Sequence, residues 1–290
     1  ELAPDAQLFV ATLVPLRVFR AYVLRVRPLV EQAKVLHSML LTRVQQMAVK
    51  QEILFPTEQW KAGFDYVTLP YDGFNPSSLI KTEHDFQGFF ITQFAPELRR
   101  AAARVRRIDM RSPLVWDNQI FYGTASFVDN RERFRLLAQA EKANILARYH
   151  TTLSQIAFFA AYNVDEGVAL AADLGKLVGV DGFGPEGVTG VTAQKRAQLF
   201  RKYKNYGVRL PNAEKWMAES HRHLRESVRW VRIWWNEIEN RAPNRNFVFN
   251  ALLFRELDRE IGLSLSNVEA MVNGRAEVRS NITGETLKTN

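Results

Sequence analysis

The chain has no cysteine among its 290 residues. Without thiols it has no disulfide, no thiolate nucleophile, and no zinc finger or iron–sulfur cluster built on cysteine ligands. Because a disulfide-free protein occurs in any compartment, this absence leaves the localisation open.

Long apolar runs are also missing. No stretch reaches the ~18 uninterrupted apolar residues that a membrane-spanning helix needs. The apolar stretch Leu8–Val14 is followed by Arg17 and Arg20, whereas the charges of a signal peptide precede its apolar region. We therefore expect neither a membrane span nor a signal peptide in this stretch.

Sequence motifs of common catalytic sites are absent too. The chain has no G-x-S-x-G nucleophile elbow, no Walker A loop and no H-E-x-x-H metal pair. Gly182-x-Gly184-x-x-Gly187 formally matches a dinucleotide fingerprint, which requires a strand before it and a helix directly after it. Here a predicted helix precedes it and Pro185 interrupts it. We predict a flexible loop that binds no phosphate.

The histidines indicate no metal site. His221 and His223 are two positions apart in a predicted helix, so their side chains point about 200° apart and cannot share one ion. His84 lies between Glu83 and Asp85, a pattern that a capped helix start explains. We expect a non-enzymatic protein without a metal or a cofactor.

What is present is the composition of a globular protein. Apolar residues make up 47% of the chain and aromatic residues 11%, which is enough to bury one large core or two smaller ones. Apolar positions recur at helical spacing over most of the chain. The sequence therefore predicts an all-α fold of long helices, with a minor extended element near 119–128.

The periodicity and the capping signals place the helices. We predict helices at 16–50, about 96–110, 129–162, 165–178, 192–206, 213–240 and 247–261, and a short one after Ser266. Pro15 and Pro28 are expected to break or kink the first helix. Asp129 and Glu132 form a possible capping box for the third.

A glycine-rich segment divides the chain. Residues 179–191 contain five glycines and a proline, which is typical of a hinge or linker. This predicts an N-terminal helical region at 1–178, which contains a basic helix, and a C-terminal helical region at 192–290 that ends in a polar tail. One continuous domain is the alternative.

Positive charge is concentrated in one helix. The net charge is +8, the pI is about 9.8, and arginines outnumber lysines, a bias that suits phosphate binding and also arises in GC-rich genomes. The basic helix contains six arginines, namely Arg99, Arg100, Arg104, Arg106, Arg107 and Arg111. At 100° per residue, four of them form one stripe, while Arg99 and Arg106 flank it.

This stripe has two interpretations. Aligned guanidinium groups would bind a phosphate backbone, of RNA or DNA, without reading sequence. Alternatively, the arginines pair with Glu83, Asp85 and Glu97 of the preceding acidic stretch, or with acids of a neighbouring subunit.

Helix 213–240 contains a second pattern. Its heptad-like seam consists of Met217, His221, Leu224, Val228, Val231 and Trp235. Trp230 and Trp234 widen the apolar surface beyond one seam. Since tryptophan is a favoured interface anchor, we predict a homo-oligomer in which Trp230, Trp234 or Trp235 contributes to self-association.

These features favour a structural protein that works in a multi-copy assembly. The sharpest hypothesis is a coat or nucleocapsid-like subunit whose basic face contacts nucleic acid. The alternatives are a stand-alone nucleic-acid-binding protein, a helical subunit of a membrane-associated secretion or conjugation machine, and, last, a helical enzyme.

Overall fold

The computed structural model describes residues 3–31, 65–72, 74–75, 79–110, 112–117, 134–178, 193–241, 272, 277–279 and 286–288. Of these residues 73% are helical, and the described strands form two small antiparallel pairs. The predicted all-α class with a minor extended element is confirmed.

The helices are α1 Pro4–Leu13, α2 Tyr22–Glu31, α3 Glu83–Phe89, α4 Ala95–Arg107, α5 Gln139–Ala160, α6 Gly167–Val178, α7 Ala193–Lys202 and α8 Ala213–Glu239. The strands are β1 Leu114–Asp117, β2 Phe134–Leu137, β3 Glu277–Arg279 and β4 Thr286–Lys288. The helices predicted at 165–178, 192–206 and 213–240 are confirmed, with small shifts at their ends.

The N-terminal region is more broken than predicted. A 3-10 segment at Val14–Phe19 separates α1 from α2, and α1 was not predicted. The break in the predicted helix 16–50 lies at Ala21, which has a φ of 54° and donates its N–H to the Tyr66 carbonyl. Pro28 lies inside α2 without ending it. The rest of that predicted helix is outside the described residues.

Among the described residues, the segment Ala6–Leu29 is long and apolar enough to cross a membrane. Core helices of soluble proteins and signal sequences can have the same length and apolar composition. The chain turns at Ala21 within this segment, so it is not one straight helix.

Helices α3 and α4 form one helical run that contains the basic helix. Thr82 and Asp85 close a capping box at its start, each side chain accepting the other's backbone N–H at 3.0 Å. This confirms a capped start next to His84. A π-helical turn at Phe90–Phe94 ends two residues before Pro96. The wider turn suits a proline, whose ring would otherwise press on the preceding helical turn.

The predicted helix 129–162 begins later than expected. Residues Phe134–Leu137 form β2, which pairs antiparallel with β1, so the helix prediction is wrong there. Helix α5 begins at Gln139, where the Glu141 carboxylate accepts the Ala138 N–H at 2.8 Å. The predicted capping box and the extended element at 119–128 lie outside the described residues, although β1 and β2 flank them.

The core is built around α5. Its most extensive packing is against α8, followed by α4. One apolar cluster joins α1, α4, β2 and α5 through residues such as Leu8, Val105, Leu137 and Leu146. The C-terminal end of α4 is fixed by buried Lys142, whose ammonium donates to the Ile108 carbonyl at 2.7 Å. The basic helix is thereby anchored along one side.

The C-terminal part is described only in pieces. Strands β3 and β4 pair antiparallel within the predicted polar tail, and Val272 packs against α8. The glycine-rich segment 179–191 and the predicted helix 247–261 lie outside the described residues. The proposed division of the chain at 179–191 therefore stays a prediction.

Candidate functional site

Helix α4 presents its arginines outward because its opposite side is buried. Ala95, Leu98, Ala101, Ala102 and Val105 pack into the core. Arg99, Arg100, Arg104, Arg106 and Arg107 occupy the exposed arc. Arg111 lies outside the described residues.

The two flanking arginines turn toward α8. Arg99 forms an ion pair with Glu219, and Arg106 Nη2 lies 3.1 Å from Glu226 Oε2. The Arg106 guanidinium also lies 5.8 Å from the centre of the Trp230 ring. These two side chains therefore join α4 to α8.

The described arginines of the stripe form no ion pair with α8. Arg100 pairs with Glu97 one turn earlier on the same helix and keeps 62% of its side chain exposed. Arg104 and Arg107 are exposed and contact no acidic group within the described part of the chain. Of the expected partners, Glu97 alone pairs with those arginines of the stripe that the structure describes. Asp85 caps α3, and Glu83 accepts the Val168 N–H at 3.2 Å.

A second row of arginines lies on α8 and was not among the predicted site residues. Arg222, Arg225 and Arg229 are exposed and Arg232 is half-buried. They line an open groove of about 820 Å³ that also includes Ile233 and Val272. The signal in the sequence was their spacing of three, four and three residues, which puts them on one helical face.

The predicted heptad seam on α8 faces a different neighbour from the one expected. Val228 and Trp235 are buried with Val272, and Leu224, Val231 and Trp234 pack around them. His221 instead is exposed and bonds the Val272 carbonyl at 2.7 Å. Trp235 is thus part of the chain's own core, whereas Trp230 and Trp234 are half-buried.

The face of α8 that packs on α5 is polar. Ser220 Oγ contacts Ser154 Oγ at 3.0 Å, and Ser227 Oγ contacts Thr151 Oγ1 at 2.7 Å. Between them, the Nδ1 atoms of His150 and His223 lie 3.0 Å apart. Small hydroxyl side chains allow the two helices to approach closely while their polar groups stay hydrogen-bonded.

The histidine pair is held neutral by its surroundings. Burial, with His223 beside it, lowers the pKa of His150 to about 4. Burial and the neighbouring Arg222 also lower the pKa of His223. The spacing of four between Glu219 and His223 was the sequence signal for this site, and Glu219 Oε1 lies 3.7 Å from His223 Nε2.

Within the described residues, no group of three or more His, Asp or Glu side chains is placed to hold a metal ion. Comparison of the chain with protein-family models, with curated proteins and with solved structures finds no match in any of the three. The most distinctive feature of the described surface is the arginine-rich face across α4 and α8.

Proposed function

We propose that this chain is a non-enzymatic structural protein of a multi-copy, coat or nucleocapsid-like assembly, and that it contacts nucleic acid through Arg100, Arg104 and Arg107. The observation that supports this is that the arginines of α4 have two different environments. Arg99 and Arg106 are bound to α8, which holds the helix in place, while the stripe points to solvent.

Such a stripe suits phosphate groups better than bases. It lies on an anchored helix whose exposed arc carries no aromatic side chain on which a base could stack. Its energy would come from releasing counterions from the phosphate backbone. Binding should therefore depend steeply on salt and little on sequence.

Replacing Arg104 and Arg107 by Gln tests the proposal. If each contacts one phosphate, the slope of log K against log[salt] on single-stranded RNA should flatten by about 1.4, or about 0.7 per contact. Fluorescence anisotropy with a labelled strand at several salt concentrations measures this slope. The mutant should show the same reduction on strands of different sequence.

The matched control is R201Q/R209Q, which removes two exposed arginines elsewhere and lowers the net charge by the same amount. It should leave the slope close to that of the wild type. Equal slopes for wild type and R104Q/R107Q would contradict the phosphate role. Sizing with light scattering and the 260/280 absorbance ratio then separate an assembly from a stand-alone binding protein.

A second candidate is a helical subunit of a membrane-associated secretion or conjugation machine. The observation that favours it is the apolar segment Ala6–Leu29. Flotation with lipid vesicles distinguishes the two proposals. A coat-like protein should remain at the bottom of the gradient, whereas a membrane-associated subunit should rise with the vesicles.

A further inference from the structure

The arginines of α8 and those of α4 belong to one surface. Arg99 and Arg222 both approach Glu219, the latter at 3.9 Å. Arg106 and Arg229 both approach Glu226, at 3.1 and 3.8 Å. The surface thus contains two Arg–Glu–Arg units, each linking α4 to α8.

The two units repeat at the same interval on both helices. Seven residues separate Arg99 from Arg106, Glu219 from Glu226, and Arg222 from Arg229. Because the residue numbers increase in the same direction on both helices, α4 and α8 run parallel here. Seven residues correspond to a rise of about 10 Å, so the two helices present their charges in register.

The surface is strongly positive despite its glutamates. Between residues 97 and 107 of α4 and between 219 and 232 of α8 there are nine arginines and three glutamates, a net charge of +6. Glu219 and Glu226 each lie between arginines of the two helices and align them, whereas Glu97 pairs with Arg100 on α4 itself. Arg225, beyond this line, is exposed and contacts no acidic group in the described part of the chain.

We propose that the α8 groove lined by Arg222, Arg225 and Arg229 is a second contact surface for nucleic acid, which carries a single strand alongside the α4 stripe. This inference extends the proposed function. It makes α4 and α8 two parallel rows of phosphate contacts, with Glu219 and Glu226 as positioning residues between them.

The shape of the groove favours a single strand over a duplex. It is concave, and of its apolar lining residues Ile233 is half-buried, whereas Val228 and Val272 are buried. A flexible single strand can follow such a groove with its phosphates against the arginines. A duplex is convex and has its bases paired, so it would contact only the outer arginines.

The test compares three double variants of the full chain, namely R225Q/R229Q, R104Q/R107Q and the control R201Q/R209Q. Each lowers the net charge of +8 by two. Binding is measured by anisotropy over a range of salt, with a labelled RNA of about 20 nucleotides, since one groove covers roughly 4–16. The same sequence as a duplex provides the second probe.

We expect R225Q/R229Q to flatten the salt slope on the single strand by about 1.4, and the control to leave it unchanged. An unchanged slope and affinity in R225Q/R229Q would overturn the inference, whatever α4 does. If R104Q/R107Q alone is without effect, the α4 role fails while the α8 groove stands. Binding of the duplex as tight as that of the single strand would overturn the single-strand assignment.

Circular dichroism checks that the variants are folded, and a single substitution serves as a milder variant. Arg229 is 70% exposed, and within the described part of the chain its ion pair is with Glu226 at 3.8 Å, so its replacement should leave the fold intact. If the double variant loses helix content, R225Q alone serves, with an expected flattening of about 0.7. No effect of R225Q in a folded protein would then count against the groove.

Discussion

His150 and His223 form the contact between α5 and α8 that is most sensitive to protons. Their Nδ1 atoms are 3.0 Å apart, so one nitrogen donates and the other accepts. Arg106 Nη2 lies 3.5 Å from His150 Nε2, and Arg222 Nη2 lies 3.5 Å from His223 Nε2. Both outer nitrogens thus face an arginine, and Glu219 Oε1 lies 3.7 Å from His223 Nε2.

Acid should therefore destabilise this fold before its carboxylates titrate. The pKa of His150 falls from 6.5 to about 4 on folding, so between these values the unfolded chain binds a proton that the folded chain does not. Stability is complete above pH 6.5 and decreases as the pH falls toward 4, by on the order of 3 kcal/mol. Urea unfolding at several pH values measures this.

His150→Gln removes the titrating group and should flatten this part of the pH profile, even if the variant is less stable at pH 7. His84→Gln is the control, because His84 is exposed next to the α3 cap. It should leave the profile unchanged. A wild-type stability that is constant from pH 7 to pH 4.5 would contradict the role of the pair.

The ion pair between Arg241 and Glu141 is the second residue-scale prediction. Two hydrogen bonds of 2.8 and 3.0 Å join them, and the side chains are only 10% and 2% exposed. Arg241→Ala should lower the free energy of unfolding by about 3–5 kcal/mol, because it removes the positive charge and both guanidinium hydrogen bonds from a buried carboxylate. Urea unfolding at pH 7 checks this.

The exposed pair Arg27–Glu31 is the comparison for that experiment. Its side chains are 62% and 48% exposed, so water already solvates both charges. Arg27→Ala should cost less than about 1 kcal/mol. Similar losses for the two variants would show that burial of the Arg241 pair contributes little.

At the scale of the helices, periodicity within one element was a good guide. The outward stripe of α4 and the extent of α8 follow from residue spacing alone, because a helix turns 100° per residue wherever it lies. The capped start at Thr82 is equally local. The spacing did not indicate which part of the chain each helical face packs against.

The packing partner of each face depends on residues far apart in sequence. The pairing of Arg99 with Glu219 spans 120 residues, and the apolar seam of α8 packs on Val272 while its serine and histidine face packs on α5. β2 was misassigned because its four residues pair with β1 rather than continue α5. The turn at Ala21 similarly depends on a hydrogen bond that its N–H donates to the distant Tyr66 carbonyl.

At the scale of the whole molecule, nucleic-acid binding and contacts between copies require different sides of α8. Its arginine row must stay open for a strand, so contacts between copies have to use another surface. Trp230 packs against the cluster of α1, α4 and α5, Trp234 packs against the Val272 cluster, and both are half-buried. Trp235 is 5% exposed and already buried in its own chain.

We expect the exposed part of Trp234 or Trp230 to anchor contacts between copies. Trp234→Ala or Trp230→Ala should then weaken association by about 2 kcal/mol or more, since tryptophans at the centre of an interface are frequent hot spots. Trp235→Ala is the matched comparison, because it should destabilise the fold of each copy rather than the contact between copies. Light scattering over a range of concentrations, with urea unfolding alongside, separates the two effects. A wild-type chain that stays monomeric at high concentration would contradict self-association, and with it the assembly part of the proposed function, while leaving the arginine-face experiments to be judged on their own results.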